Sequence, residues 1–106
     1  MKKNKQQAKA GEFWTINDAK TRGHKTLITK NKEKGVEHIP ITHSPMTRNK
    51  RNIKLKKNPD KTDSKDSYIL AKVQYSNKKY LGKNHPELKI VDATDKSIIR
   101  HIKKKK

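Results

Sequence analysis

Cysteine is absent from these 106 residues, so the chain can form neither a disulfide framework nor a thiolate metal site. Acidic residues are scarce: 10 Asp and Glu stand against 29 Lys and Arg, leaving a formal charge of +19. Apolar residues make up only 28% of the chain, which limits it to one small core and a single domain. No apolar run approaches the length of a membrane-crossing helix, and the Lys-rich start lacks the apolar stretch of a secretory signal. A cytoplasmic protein that does not enter membranes is expected. The histidines, His24, His38, His43, His85 and His101, lack the paired spacing of a zinc-binding helix, so no metal or other cofactor is expected.

Positive charge is what the chain has in excess. A polyanion is the partner that this charge implies, and nucleic acid is the commonest one. High charge with low hydrophobicity is also the composition of disordered chains. Here the apolar residues are grouped into strand-like runs, which argues for a folded domain. Residues 1–10 read as a basic, solvated arm, 11–102 as the domain and 103–106 as a basic tail.

Within the domain, residues 12–16 hold the only Phe and Trp, assigned to the core or to a subunit seam. The clearest hairpin joins 25–30 to 36–42 through the turn-forming residues 31–35. After Pro45, Ile53 and Leu55 alternate with lysines in what reads as an exposed basic strand. Residues 58–65 form a polar loop, and 67–73, the most continuous apolar run, is the best candidate for a central strand. A short last strand is expected over 88–91. Asp92, with a second acid at Asp95, marks a helix start; Ile98, Ile99 and Ile102 share one helical face, and the closing lysines suit its negative end. His38 falls among alternating strand residues and is placed on the solvent face. About five short strands and one closing helix predict a mainly β fold, a small twisted barrel with a C-terminal α-helix.

Chemistry concentrates at two strand mouths. The run 35–44 ends in Thr42 and His43, a hydroxyl beside an imidazole, which can position and protonate a reacting phosphate. The run 22–29 sets Arg22, His24 and Lys25 at the start of another strand. Facing each other, these would make a nuclease-like site. Metal-free RNA cleavage uses the neighbouring 2′-hydroxyl as nucleophile, so the protein has to move two protons and stabilise charge on phosphorus. Histidine suits the proton transfers because its ordinary pKa lies near working pH. On a regular strand His43 points away from Thr42, and it joins the site only where the strand ends or twists. The dense cations Arg48, Lys50, Arg51, Lys54, Lys56 and Lys57 would form an electrostatic track for a single strand.

The order of these segments resembles the MazF/PemK family of toxin endoribonucleases, from about Gly11 to Ile102. Gly11-Glu12-Phe13-Trp14 is similar to the family's opening glycine, acidic residue and aromatic strand, and Pro40-Ile41-Thr42 to its proline-containing strand ending in threonine. Asp66 to Val73, then Leu81-Gly82, match a later strand and the turn after it. The resemblance implies an SH3-like barrel with a C-terminal helix, a homodimer, a cognate antitoxin protein as partner, and sequence-specific cutting of single-stranded RNA without metal. It puts Thr42 at the catalytic threonine. Where the family has arginine and proline, this chain has His24-Lys25, and the family's later glutamine is replaced by Lys72, with Gln74 two residues on. Either His24 does acid–base work while Lys25 or Arg22 supplies the fixed charge, or activity is altered. The alternative function is a non-catalytic nucleic-acid-binding module, such as an accessory factor of a mobile element.

Overall fold

The computed structural model describes residues 8–19, 21 and 23–105. Among them the strands are β1 (Phe13–Ile16), β2 (Lys25–Asn31), β3 (Gly35–Thr42), β4 (Met46–Thr47), β5 (Lys50–Arg51), β6 (Ile53–Lys54), β7 (Tyr68–Ile69), β8 (Gln74–Asn77) and β9 (Leu81–Asn84). A 3-10 turn, Lys78–Tyr80, precedes β9, and one helix, α1 (Ala93–Lys104), closes the chain. The main sheet is antiparallel in the order β6-β7-β3-β2-β1-β9, with β8 also paired to β3. β4 and β5 form a separate small hairpin. The fold is therefore mainly β with a C-terminal helix, and no pairing among the described residues joins β6 to β9.

The β2–β3 hairpin forms as the sequence predicts, with Thr26 opposite Pro40 and Leu27 opposite Ile39. Its tight turn brings the Lys32 N–H onto the Gly35 carbonyl. Gly35 is needed there because a Cβ would collide with the Tyr75 ring and the Ser76 carbonyl oxygen on β8. Alternation along the strands divides the apolar side chains between two faces. Phe13, Leu27 and Ile39 stand in register on one face, where Leu55, Ile69, Leu88, Ile99 and Ile102 complete the larger core. On the other face Ala8, Trp14, Ile16, Ile28, Val36 and Leu81 form a second cluster.

The helix begins where expected. The Asp92 carboxylate accepts the N–H groups of Thr94 and Asp95 at 2.8 and 3.1 Å, satisfying two of the donors that a helix start leaves unpaired. Ile99 and Ile102 are buried and Ile98 packs against the same core, so the predicted apolar face is the one that meets the sheet. Asp95 is buried as well and accepts the N–H groups of Lys56 and Lys57, tying the first helical turn to the segment after β6.

Several expectations are corrected. The 67–73 run is not one central strand. β7 sets Ile69 opposite Ile41 and β8 sets Gln74 opposite His38, so four residues, Leu70 to Val73, face two, Ile39 and Pro40. The cause lies in Pro40. Its carbonyl accepts the Leu70 N–H, so the N–H that proline lacks would point the same way, and the ladder has a gap where the chain bulges. The central strands are β3 and β2. Residues 88–91 are not a strand, because the last strand is Leu81–Asn84 and Leu88 instead fills the core. The 53–55 segment pairs over only two residues, and Leu55, expected to be exposed, is buried. Of the predicted arm, residues 1–7 lie outside the described residues, while Ala8 is buried against the second cluster. His38 is not on a solvent face: it is fully enclosed, because the second cluster shares that side of β3 and Ser76 of β8, itself bonded to Asp18, lies against the ring.

Candidate functional site

The hairpin brings the two strand mouths together. Carrying the Thr26–Pro40 pairing two residues further sets His24 alongside Thr42. Both residues line a cleft of about 370 Å³, together with Lys25 and His43. β3 ends at Thr42 and the chain bends at His43, which is the condition under which His43 can share a site with its neighbour. The four residues expected to carry chemistry thus meet in one cavity, whose remaining wall comes from Gly23, Ile41, Ser67, Leu88 and the 58–63 loop.

That loop, polar in sequence, is braced by hydrogen bonds from its own side chains. Asn58 Oδ1 accepts the Asp60 N–H, Asp60 Oδ1 accepts the N–H and hydroxyl of Thr62, and Asp63 Oδ1 accepts the Lys65 N–H. Asn and Asp at two-residue offsets are the signal that could have marked it as rigid. The Lys65 N–H and the His43 ring hold the Asp63 carboxyl below the usual carboxylate range. Asp63 Oδ2 lies 2.7 Å from His43 Nε2. Since the ionised carboxylate can only accept, Nε2 carries the proton and Nδ1 of the neutral ring is left as a base. Thr42 Oγ1 accepts the Ser44 N–H at 3.2 Å, so its own hydrogen remains for another acceptor.

A second cavity, about 930 Å³, adjoins the first and shares His24, Ile41 and Thr42 with it. Arg48, Lys50 and Arg51 line it from the β4–β5 hairpin, Lys72 and Gln74 from the bulge and the start of β8, and Lys105 from the end of α1. Among the described lining residues there is no carboxylate. The hairpin turns through Arg48 and Asn49, both at positive φ (52° and 66°), a conformation suited to two-residue hairpin turns. Its base is locked by Asn52, whose side chain donates to the Ser44 carbonyl and the Thr47 hydroxyl. Lys50 belongs to the basic track expected from the sequence, whereas Lys105 is a groove residue outside it. Lys105 is reached only because the helix packs its C-terminal end beside the bulge.

Other expected binding residues stand apart. Lys54 pairs loosely with Asp66 at 3.5 Å, and Lys56, whose N–H is held by Asp95, is exposed; neither lines the two cavities. Arg22 lies outside the described residues. No three His, Cys, Asp or Glu side chains among the described residues are grouped to hold a metal ion. No helix among them is long and apolar enough to cross a membrane. Neither a protein-family model nor a curated protein matches the chain.

Proposed function

We propose that this chain is a metal-independent endoribonuclease acting on single-stranded RNA, the toxin of a toxin–antitoxin pair of the MazF/PemK kind. The observation that supports it best is the meeting of His24, Lys25, Thr42 and His43 in one cleft that opens into a groove lined by cations and, among the described residues, by no carboxylate. On this reading the sheet and its closing helix are a small SH3-like barrel that works as a homodimer, and an acidic antitoxin segment would compete for the groove. The RNA backbone follows the groove, held by Arg48, Lys50, Arg51, Lys72 and Lys105, and places one phosphodiester over the shared wall at Thr42.

At that phosphate, His43, oriented by Asp63, takes the proton of the adjacent 2′-hydroxyl as its oxygen forms a bond to phosphorus. His24 gives a proton to the 5′ oxygen as the bond from phosphorus to that oxygen breaks. The products are a 2′,3′-cyclic phosphate and a 5′-hydroxyl. Lys25 offsets the charge that builds on the non-bridging oxygens, and Thr42 donates its hydroxyl hydrogen to one of them. The test is incubation of a long, unstructured RNA with purified protein in EDTA, beside Thr42→Ala and His24→Ala. Discrete fragments, formed roughly 100-fold or more slowly by each variant, are expected. Tight, salt-sensitive binding with no fragments from any of the three would overturn the nuclease and leave a nucleic-acid-binding module.

A further inference from the structure

The proposed reaction makes no use of His38, although it is the largest fully buried polar side chain among the described residues. An imidazole buried without partners would be costly, so its surroundings have to answer both ring nitrogens. They do. Nδ1 is 2.8 Å from the Thr26 hydroxyl on β2, and Nε2 is 2.8 Å from the Ser76 hydroxyl on β8. Both partners are reached diagonally across the sheet, since His38 itself faces Ile28 on one side and Gln74 on the other.

The contacts continue out of the sheet. Ser76 donates its hydroxyl hydrogen to Asp18 Oδ2. Asp18 Oδ1 accepts the Thr21 N–H at 2.9 Å, and the Thr21 hydroxyl lies at the same distance. The Thr21 carbonyl in turn accepts the His24 N–H at 2.9 Å. The same loop is pinned again where Gly23, at a φ of +78°, donates its N–H to the Ile16 carbonyl. An unbroken series of hydrogen bonds thus connects a buried histidine with the backbone of a candidate catalytic one.

The direction of donation along this series is fixed by its charged end. Partial burial opposes ionisation of Asp18, but bonds from Ser76 and Thr21, with His38 nearby, outweigh it and keep the carboxyl below its ordinary range. An ionised Asp18 only accepts, so Ser76 donates to it and takes the Nε2 hydrogen of His38 on its own oxygen. In the neutral ring Nδ1 then accepts from Thr26. Ser76 and Asp18 are thereby each held to one role whatever the charge of the ring, which is what a rigid support for a functional side chain requires.

We infer that Thr26, His38, Ser76 and Asp18 form a positioning relay that fixes Thr21 and so sets where His24 stands against Thr42. None of the four lines either cavity, so they act through His24 and not on RNA. The consequence for turnover rests on the ribonuclease reading, whereas the placement of His24 can be measured without it.

The decisive measurement is the NMR signals of the His24 ring in the full chain, alongside RNA cleavage, for Ser76→Ala, Ser76→Thr and Asp18→Asn. Asp92→Ala, which weakens the fold at the far helix start, is the control. The His24 signals are expected to shift in Ser76→Ala and Asp18→Asn, to return in Ser76→Thr, which restores a hydroxyl, and to stay in place in Asp92→Ala. Turnover should fall roughly 10- to 100-fold in the first two, with KM within about twofold. His24 signals that coincide with wild type in Ser76→Ala and Asp18→Asn would overturn the relay, as would an equal shift in Asp92→Ala. If Ser76→Ala does not fold, Asp18→Asn, which keeps an acceptor at Oδ1, decides alone. A wild-type protein that cuts no RNA would defeat the ribonuclease reading and leave the NMR result to judge the relay.

Discussion

Single side chains in this protein are specified by the groups that hold them. In the proposed reaction His43 is the base and Asp63 orients it, so Asp63→Asn, which removes the charge but keeps the shape, should slow RNA cleavage roughly 10- to 100-fold with little change in RNA affinity. A single-turnover time course beside a binding titration separates the two effects. Asp18 carries a prediction about acid. Its pKa is lower in the folded protein than the ordinary value of about 3.9, so its contribution to stability is complete above that value and is lost as pH falls below it toward the folded pKa. Asp18→Asn should therefore be less stable than wild type at pH 7, and the difference should shrink as pH is lowered through 4 to 2. Urea melts across that range will show it, and a difference independent of pH would contradict the assignment.

At the scale of elements, the helix and the hairpin are both held by interactions that can be removed one at a time. Asp92→Ala leaves two N–H groups of α1 uncapped and should cost about 1 kcal/mol, read as a lower urea midpoint at unchanged slope. Gly35→Ala forces a Cβ into the Tyr75 ring and the Ser76 carbonyl, and should cost roughly 1–3 kcal/mol through loosened β3–β8 pairing. Amide exchange at Val36 and Ser76, which face each other, would report where the loosening occurs. The helix and its cap were legible because capping and a 3.6-residue apolar period are local properties of six or seven neighbours. The break in the 67–73 run was not legible, because its cause is a missing N–H at Pro40, some thirty residues away in the chain.

At the scale of the whole molecule, the charge of +19 bears on the proposed RNA binding. With five cations around one groove, the logarithm of RNA affinity should fall with the logarithm of salt concentration at a slope of about −3.5, roughly a hundredfold weaker binding between 50 and 200 mM salt. Arg51→Ala should make the slope shallower by about 0.7. Lys54→Ala, which stands away from both cavities, should leave it nearly unchanged. A slope that depends equally on all lysines would mean that the charge of +19 attracts RNA diffusely and the groove is not the path. Composition alone predicted a polyanion; which cations act together is a property of how the hairpin, the bulge and the helix end converge.

The sequence by itself determined the β2–β3 hairpin, the helix with its Asp92 cap and the approach of His24 to Thr42. Each follows from turn residues, periodicity or strand register acting over short stretches of chain. Only the tertiary structure decided that His38 is buried, since alternation shows which residues share a face but not whether that face is covered. Its cover comes from Ser76, 38 residues away, and from Asp18 behind it. Likewise the ordered wall from the 58–63 loop and the arrival of Lys105 at the groove depend on packing between distant segments. Local chemistry chose the elements, and the long-range pairing of β3 with β8 and of α1 with the sheet chose what surrounds the site.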